Sequence, residues 1–170
     1  MAKKVNFKRG DLVIDKGRVY KIFKVRKKEN DEGEEQRIVH YRPLFENRKN
    51  ETLEVSIPAK NMKKSGIRKP VTKKKMKEYL KSLEELKDID KRLNIKSAKA
   101  VLGDNDIDET VDMLRMSWAD KLNEDVNFTT SKRRVFRRLK SRVAAEMAAI
   151  MDISLNDAQK KINEALSKAK

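Results

Sequence analysis

The chain has 170 residues, 43 of them Lys or Arg against 27 Asp or Glu, for a formal net charge of +16. Charged side chains make up 41% and aromatics 5%, so one ordinary domain or two small ones with a lean, aliphatic core is expected, and the cationic excess points to nucleic acid or an acidic membrane surface. The lack of cysteine excludes disulfides and thiolate metal sites, and no apolar run approaches the roughly 18 residues that span a bilayer.

Residues 1–68 read as β structure. Gly10-Asp11 opens a strand at Leu12-Val13-Ile14, and Asp15-Lys16-Gly17 is a turn signal. Residues 19–25 are β-branched and aromatic with apolar side chains on both faces, as in a central strand. The acidic tract 29–35 is a loop, and residues 37–44 and 51–57 are two more strands. In the last, Leu53, Val55 and Ile57 alternate with Thr52, Glu54 and Ser56, the period of a half-buried strand. Short strands at close spacing predict a small antiparallel barrel or curled sheet.

Pro58 ends that strand, and the cationic, turn-rich segment 59–70 reads as a hinge. From Val71 the pattern is helical. Thr72 is placed to cap a helix carrying Met76, Leu80, Leu83 and Leu86. A less regular segment holds Ile89, Leu93, Ile95, Val101 and Leu102 and stops at Gly103. Asp108 is placed to cap a third helix with the stripe Val111, Leu114, Trp118 and Leu122. Thr129 or Thr130 begins a fourth over residues 131–151. Ser154 and Asp157 have capping-box spacing before a last helix carrying Leu155, Ile162 and Leu166. The expected fold class is α+β, with a β domain over residues 1–68 and a bundle of about five helices over residues 71–170.

The helix over 131–151 carries the strongest signal. Its first half holds Lys132, Arg133, Arg134, Arg137, Arg138, Lys140 and Arg142, with no acid among them. At about 100° per residue, Phe136, Leu139, Val143, Met147 and Ile150 form one stripe, with Arg134, Arg137, Arg138 and Arg142 opposite. Beyond Val143 the opposite face becomes Ala144, Ala145, Ala148 and Ala149. Such a helix is packed at its C-terminal end and leaves its N-terminal half outside as a cationic ridge. Phosphate contact is the functional reading of that ridge; a solvated helix face has the same composition. Positive charge is not confined to it: residues 1–70 hold 20 basic and 10 acidic side chains, and residues 71–170 hold 23 and 17. Lys73-Lys74-Lys75 forms a second cationic knot at a helix start.

Catalysis is not expected. His40 is the only histidine, so a multi-histidine metal cage is impossible, and without cysteine so is a Cys–His pair. The five glycines are scattered and build no phosphate-cradling loop. Most carboxylates alternate with Lys and Arg, as solvated helix faces do. No cofactor and no metal are expected.

The order of motifs along the chain adds a family. Phe7-Lys8-Arg9-Gly10-Asp11-Leu12-Val13 opens the β domain, and Val55-Ser56-Ile57-Pro58 closes it. Ser65-Gly66-Ile67-Arg68-Lys69-Pro70-Val71 and Lys99-Ala100-Val101-Leu102-Gly103-Asp104 come next. Thr110-Val111-Asp112-Met113-Leu114-Arg115-Met116 and Phe128-Thr129-Thr130-Ser131-Lys132-Arg133 follow. In order and spacing these stretches resemble the CarD/CdnL family of bacterial transcription regulators over nearly the whole chain.

The resemblance implies an SH3/Tudor-like barrel that docks on a lobe of the RNA polymerase β subunit. It also implies a helical domain that contacts promoter double-stranded DNA at the upstream edge of the melted bubble. Together they would bias the balance of closed and open complexes, which requires differential affinity for the two states. Arg26 falls where the family has a polymerase-contacting arginine, with Tyr20, Ile22 and Lys24 as strand neighbours; Ser56 stands at a second such position. Ile89 stands where the family has a tryptophan that wedges against the opened minor groove. Lys91, Arg92 and Lys96 beside it, with Arg133, Arg134, Arg137 and Arg138 on the ridge, are the expected DNA contacts. The expectation is a cytoplasmic, monomeric regulator with no membrane association; the N-terminal stretch MAKKVNFKRGD has no apolar region of the secretory type. Two further readings stand beside it. One is a general nucleic-acid-binding protein associated with RNA, the ribosome or the nucleoid, whose barrel stacks bases on Tyr20, Phe23, Tyr41 or Phe45. The other is a structural adaptor whose charge serves solubility.

Overall fold

The computed structural model describes residues 6–29, 31–86, 89 and 92–169, and the chain divides into two compact units, Met1–Pro70 and Val71–Lys170. The first unit is a four-stranded antiparallel meander of β1 (Leu12–Asp15), β2 (Arg18–Glu29), β3 (Glu35–Pro43) and β4 (Val55–Pro58), in spatial order β1-β2-β3-β4. Asp15 pairs with Arg18 across a two-residue turn whose central residues, Lys16 (φ 47°) and Gly17 (φ 69°), both lie in the left-handed region. That backbone twist matches two antiparallel strands.

The face a β2 side chain takes is decided by a bulge. Tyr20 and Ile22 oppose Pro43 and Tyr41, but the next pair is Lys24 with His40, leaving Phe23 unopposed. The extra residue shifts the alternation by one. Before it Tyr20 and Ile22 point into the core, and after it Val25 does. Phe7, Val13, Tyr20, Ile22, Val39, Tyr41, Met62 and Ile67 make up that core, with Val25, Val55, Ile57 and Ala59 packed on it.

Three expectations change here. The sheet is not closed into a barrel: among the described residues β1 and β4 do not pair. The free edge of β1 is met instead by Arg68, which exchanges hydrogen bonds of 2.8 and 3.2 Å with Ile14. The segment 59–70 is not simply a hinge. It forms a one-turn helix, α1 (Ala59–Met62), and inserts the buried Met62 and Ile67 into the core of the first unit. Finally, β4 starts at Val55, and Leu53 is 38% exposed. The Asn50 side chain accepts from the Asn47 N–H (2.6 Å) and donates to the Phe45 carbonyl (3.1 Å), holding this stretch in turns that compete with strand pairing.

The second unit holds α2 (Lys73–Leu83), α3 (Ile95–Gly103), α4 (Ile107–Leu122), α5 (Thr130–Met151) and α6 (Leu155–Lys168). Short polar side chains cap them. Thr72, Asn94, Asp106, Thr129 and Ser154 each accept a backbone N–H three residues on, each such cap contributing about 1 kcal/mol. Asp106 therefore takes the capping role expected of Asp108, and Asp108 accepts the Tyr79 hydroxyl at 2.7 Å. α5 is the strut of the unit, packing against α2, α3, α4 and α6. It buries Val135, Phe136, Leu139, Val143, Ala144, Met147 and Ala148. The alanines opposite the bulky stripe, of which Ala144 and Ala148 are buried, let neighbouring helices approach both sides of its C-terminal half. Glu146, 1% exposed, accepts the Val71 N–H at 3.0 Å and so ties the start of the unit to α5.

Candidate nucleic-acid interface

The cations of α5 divide into two groups that the sequence does not distinguish. Lys132 Nζ donates to Asp120 Oδ2 at 2.6 Å, an ion pair with side chains only 15% and 5% exposed. Lys140 Nζ donates to Asn163 Oδ1 at 3.0 Å. Arg142, expected on the ridge, turns inward. Its Nη1 donates to the Val101 and Asp104 carbonyls (2.9 and 3.0 Å) and its Nη2 to the Leu102 carbonyl (2.7 Å). α3 ends against α5; the Asp104 N–H reaches the Val101 carbonyl at 3.2 Å, and the guanidinium supplies donors to the end of the helix and meets the negative end of its dipole.

Arg134, Arg137 and Arg138 make up the other group. All three are exposed and, among the described residues, make no hydrogen bond or ion pair through their side chains. They span an arc of about 100° on the helix. Arg133, also exposed, gives its Nε to the Phe128 carbonyl at 3.2 Å. No acid occupies the first turn of α5. The cations therefore add to the positive end of the macrodipole instead of compensating it, and the positive potential is concentrated where the ridge is exposed.

Beside the ridge, the seam between α4 and α5 is aromatic. Trp118 stacks on Phe136 with ring centres 5.9 Å apart and planes at 24°, and Phe128 meets Phe136 edge-on at 6.4 Å. Lys121 Nζ lies 4.6 Å from the Trp118 ring centre and 5.5 Å from that of Phe136; Lys140 Nζ lies 5.6 Å from the Phe136 centre. Partial burial, then the neighbouring Lys121 ammonium, hold the pKa of Lys140 below its ordinary value. Trp118 is half-buried, and its enclosed Nε1 has no acceptor among the described residues. Leu122, expected in the buried stripe, is 48% exposed. Lys121 and Lys140 were not among the expected contacts. Their spacing, three residues after Trp118 and four after Phe136, is the helical spacing that brings a cation over a ring.

Of the other expected DNA contacts, Arg92 and Lys96 are exposed, Lys96 in the first turn of α3 behind its Asn94 cap. Ile89 is half-buried, its N–H donating to the Leu86 carbonyl at 3.2 Å. Lys91 lies outside the described residues.

In the first unit, two of the four expected polymerase contacts are core residues. Tyr20 is 6% and Ile22 0% exposed, because both precede the bulge on the inward face of β2. Lys24 and Arg26 follow the bulge on the outward face. There Lys24, His40 and Ser56 form one cross-strand row, and Arg26, Ile38 and Pro58 the next. His40 Nδ1 lies 2.7 Å from Ser56 Oγ. Phe23 packs on the same side, 6.1 Å from the His40 ring and 5.6 Å from the Arg42 guanidinium. Tyr41, a stacking candidate in the sequence, is 1% exposed and gives its hydroxyl to Asp15 at 3.0 Å. Burial and that carboxylate push its pKa well up.

Among the described residues no cluster of three or more His, Cys, Asp or Glu side chains is placed to hold a metal ion, and no helix is long and apolar enough to cross a membrane. No protein-family model and no curated protein matches the chain.

Proposed function

We propose that this chain is a transcription regulator that binds the RNA polymerase β subunit through its first unit and promoter DNA through its second, changing the stability of the open complex. The observation that carries the DNA half is the triad Arg134, Arg137 and Arg138, three exposed guanidiniums that have no protein partner among the described residues, on the N-terminal half of α5. Guanidiniums so placed suit backbone phosphates, which give little sequence preference and a steep salt dependence. Arg92 and Lys96 extend the cationic surface, and Ile89 offers apolar bulk without an aromatic face at the edge of the bubble. The polymerase half rests on the ordered motifs and on Lys24 and Arg26, outward on β2. A Tudor-like ancestry for the open sheet is favoured by the Ile14–Arg68 bridge, which returns the end of the unit to its first strand. A cytoplasmic, monomeric protein belongs to the same reading.

Two measurements test it. In electrophoretic shifts with promoter duplex, affinity of the full chain should fall steeply with salt. Replacing Arg134, Arg137 and Arg138 by Gln should lower the slope of log K against log salt by about 3. Binding that hardly responds to salt would remove the DNA half. In a pull-down, the full chain should retain polymerase β and Arg26→Glu should weaken that retention; a wild-type chain that retains none removes the polymerase half. A second reading, a general nucleic-acid-binding protein without polymerase contact, is favoured by the outward Phe23, Arg42, Lys24 and Arg26. It predicts equal binding of duplex with and without polymerase.

A further inference from the structure

We propose that the α4–α5 seam is a phosphate-binding site in which Lys121 and Lys140, reaching from two helices to the same Phe136 ring, clamp one backbone phosphate of the bound nucleic acid. The proposal rests on the DNA reading above and says which flank of the ridge the strand occupies.

Two observations carry it. First, Lys121 from the end of α4 and Lys140 from the middle of α5 approach one ring, at 5.5 and 5.6 Å from its centre. Neither finds a carboxylate among the described residues. Carboxylates do reach this seam, since Lys132 one helical face away is paired with the buried Asp120. Asn163 takes only one of the three donors of Lys140, and the contacts of Lys121 are with ring faces, which accept no full hydrogen bond. Two like charges held together over a low-polarity surface are unfavourable until an anion lies between them, and a tetrahedral oxyanion offers acceptors to both. The pKa of Lys140 is lowered first by its own partial burial and then by the Lys121 ammonium, so the two charges sense each other.

Second, the pair continues a row. Arg133, Arg137 and Lys140 follow one another along one side of α5, with axial rises of about 6 and 4.5 Å. Lys121 faces the end of that row from α4. A single nucleic-acid strand can lay successive phosphates along such a row, whereas an isolated small anion would engage only its lysine end. The shared chemistry is a phosphate oxyanion, and the row favours a polymer as its source.

Trp118 is the only tryptophan in the chain, and Lys121 sits 4.6 Å above its ring, so its emission reports on the site. The experiment titrates the full chain with a random-sequence duplex, following both Trp118 emission and the anisotropy of the labelled duplex, and repeats the titration with tripolyphosphate. The expected result is a Trp118 change that saturates together with anisotropy. In the double variant Lys121→Gln/Lys140→Gln the salt slope should fall by about 1, the share of the one phosphate released, with unchanged helical circular dichroism. The variant lacking Arg134, Arg137 and Arg138 should bind more weakly yet still change Trp118 emission at saturation. Tripolyphosphate should produce the same emission change only at much higher concentration. A double variant that binds duplex with the wild-type slope, or a Trp118 signal that stays flat while anisotropy saturates, overturns the site and leaves the DNA reading standing. If wild type binds no duplex, the DNA reading is lost. The clamp then stands only as a site for free phosphate if tripolyphosphate moves Trp118 emission in wild type and not in the double variant, and falls if it does not.

Discussion

Arg142 separates a structural cation from a functional one on the same helix. Its guanidinium makes three hydrogen bonds to the end of α3, and those to Val101 and Leu102 are partly buried, while that to Asp104 is exposed. Charge-assisted hydrogen bonds contribute about 1.5–3 kcal/mol each. Counting the two partly buried bonds at the low end, because the exposed carbonyl can rehydrate, Arg142→Met should cost about 3 kcal/mol while keeping most of the aliphatic stem. For a unit of about 100 residues the unfolding entropy is about 0.2 kcal/mol/K, so the melting temperature should fall by about 14 °C. Thermal unfolding followed by far-UV circular dichroism reads it, since the helices dominate that signal. Arg142→Lys should fall between the two, one ammonium being unable to span three carbonyls. DNA affinity of the folded Arg142→Met protein should stay within about twofold of wild type. A shift of less than about 3 °C accompanied by a loss of DNA affinity would refute the assignment and return Arg142 to the ridge.

The buried pair of Lys132 and Asp120 should behave asymmetrically. Asp120→Ala leaves a mostly buried ammonium unpaired and should destabilise by about 3–5 kcal/mol, whereas replacing both residues by apolar ones of similar volume should be close to neutral; chemical denaturation measures both. Lys140 has a folded-state pKa below its ordinary value. The folded protein therefore binds fewer protons than the unfolded chain between the two values, and stability should rise with pH through that window. Lys121→Gln removes the second of the two causes and should narrow the window, visible in an NMR titration of the Lys140 side chain; an unmoved titration would show that the ammoniums do not sense each other.

Secondary-structure type was largely legible because it depends on local signals. Thr72, Thr129 and Ser154 cap where their spacing says they should, and the stripe of Phe136, Leu139, Val143 and Met147 is buried. What could not be read was which polar group meets which. Seven cations in a row look alike until α3 is seen to end beside Arg142 and Asp120 beside Lys132. On β2 the alternation of faces reads plainly up to Ile22. It then breaks at a bulge that depends on β3 and has no signature in β2 itself, so strict alternation puts Tyr20 and Ile22 on one face with Lys24 and Arg26. The strand expected from residue 51 failed for a local reason that composition hides, because the asparagines at 47 and 50 hold their own backbone in turns.

The uncompensated N-terminal turn of α5 makes ionic strength act on two equilibria in opposite directions. In the free protein, salt screens the repulsion among Arg133, Arg134, Arg137 and Arg138 and the conflict of Arg133, nearest the N-terminus, with the helix dipole, so the helix should become firmer as salt is added. In the complex, the same ions compete for the phosphates and loosen the grip. A polyanion does for the helix what salt does, and does it locally, so occupancy and helix order rise together. Dilute buffer is thus where the ridge is at once least settled in itself and most strongly drawn to a partner.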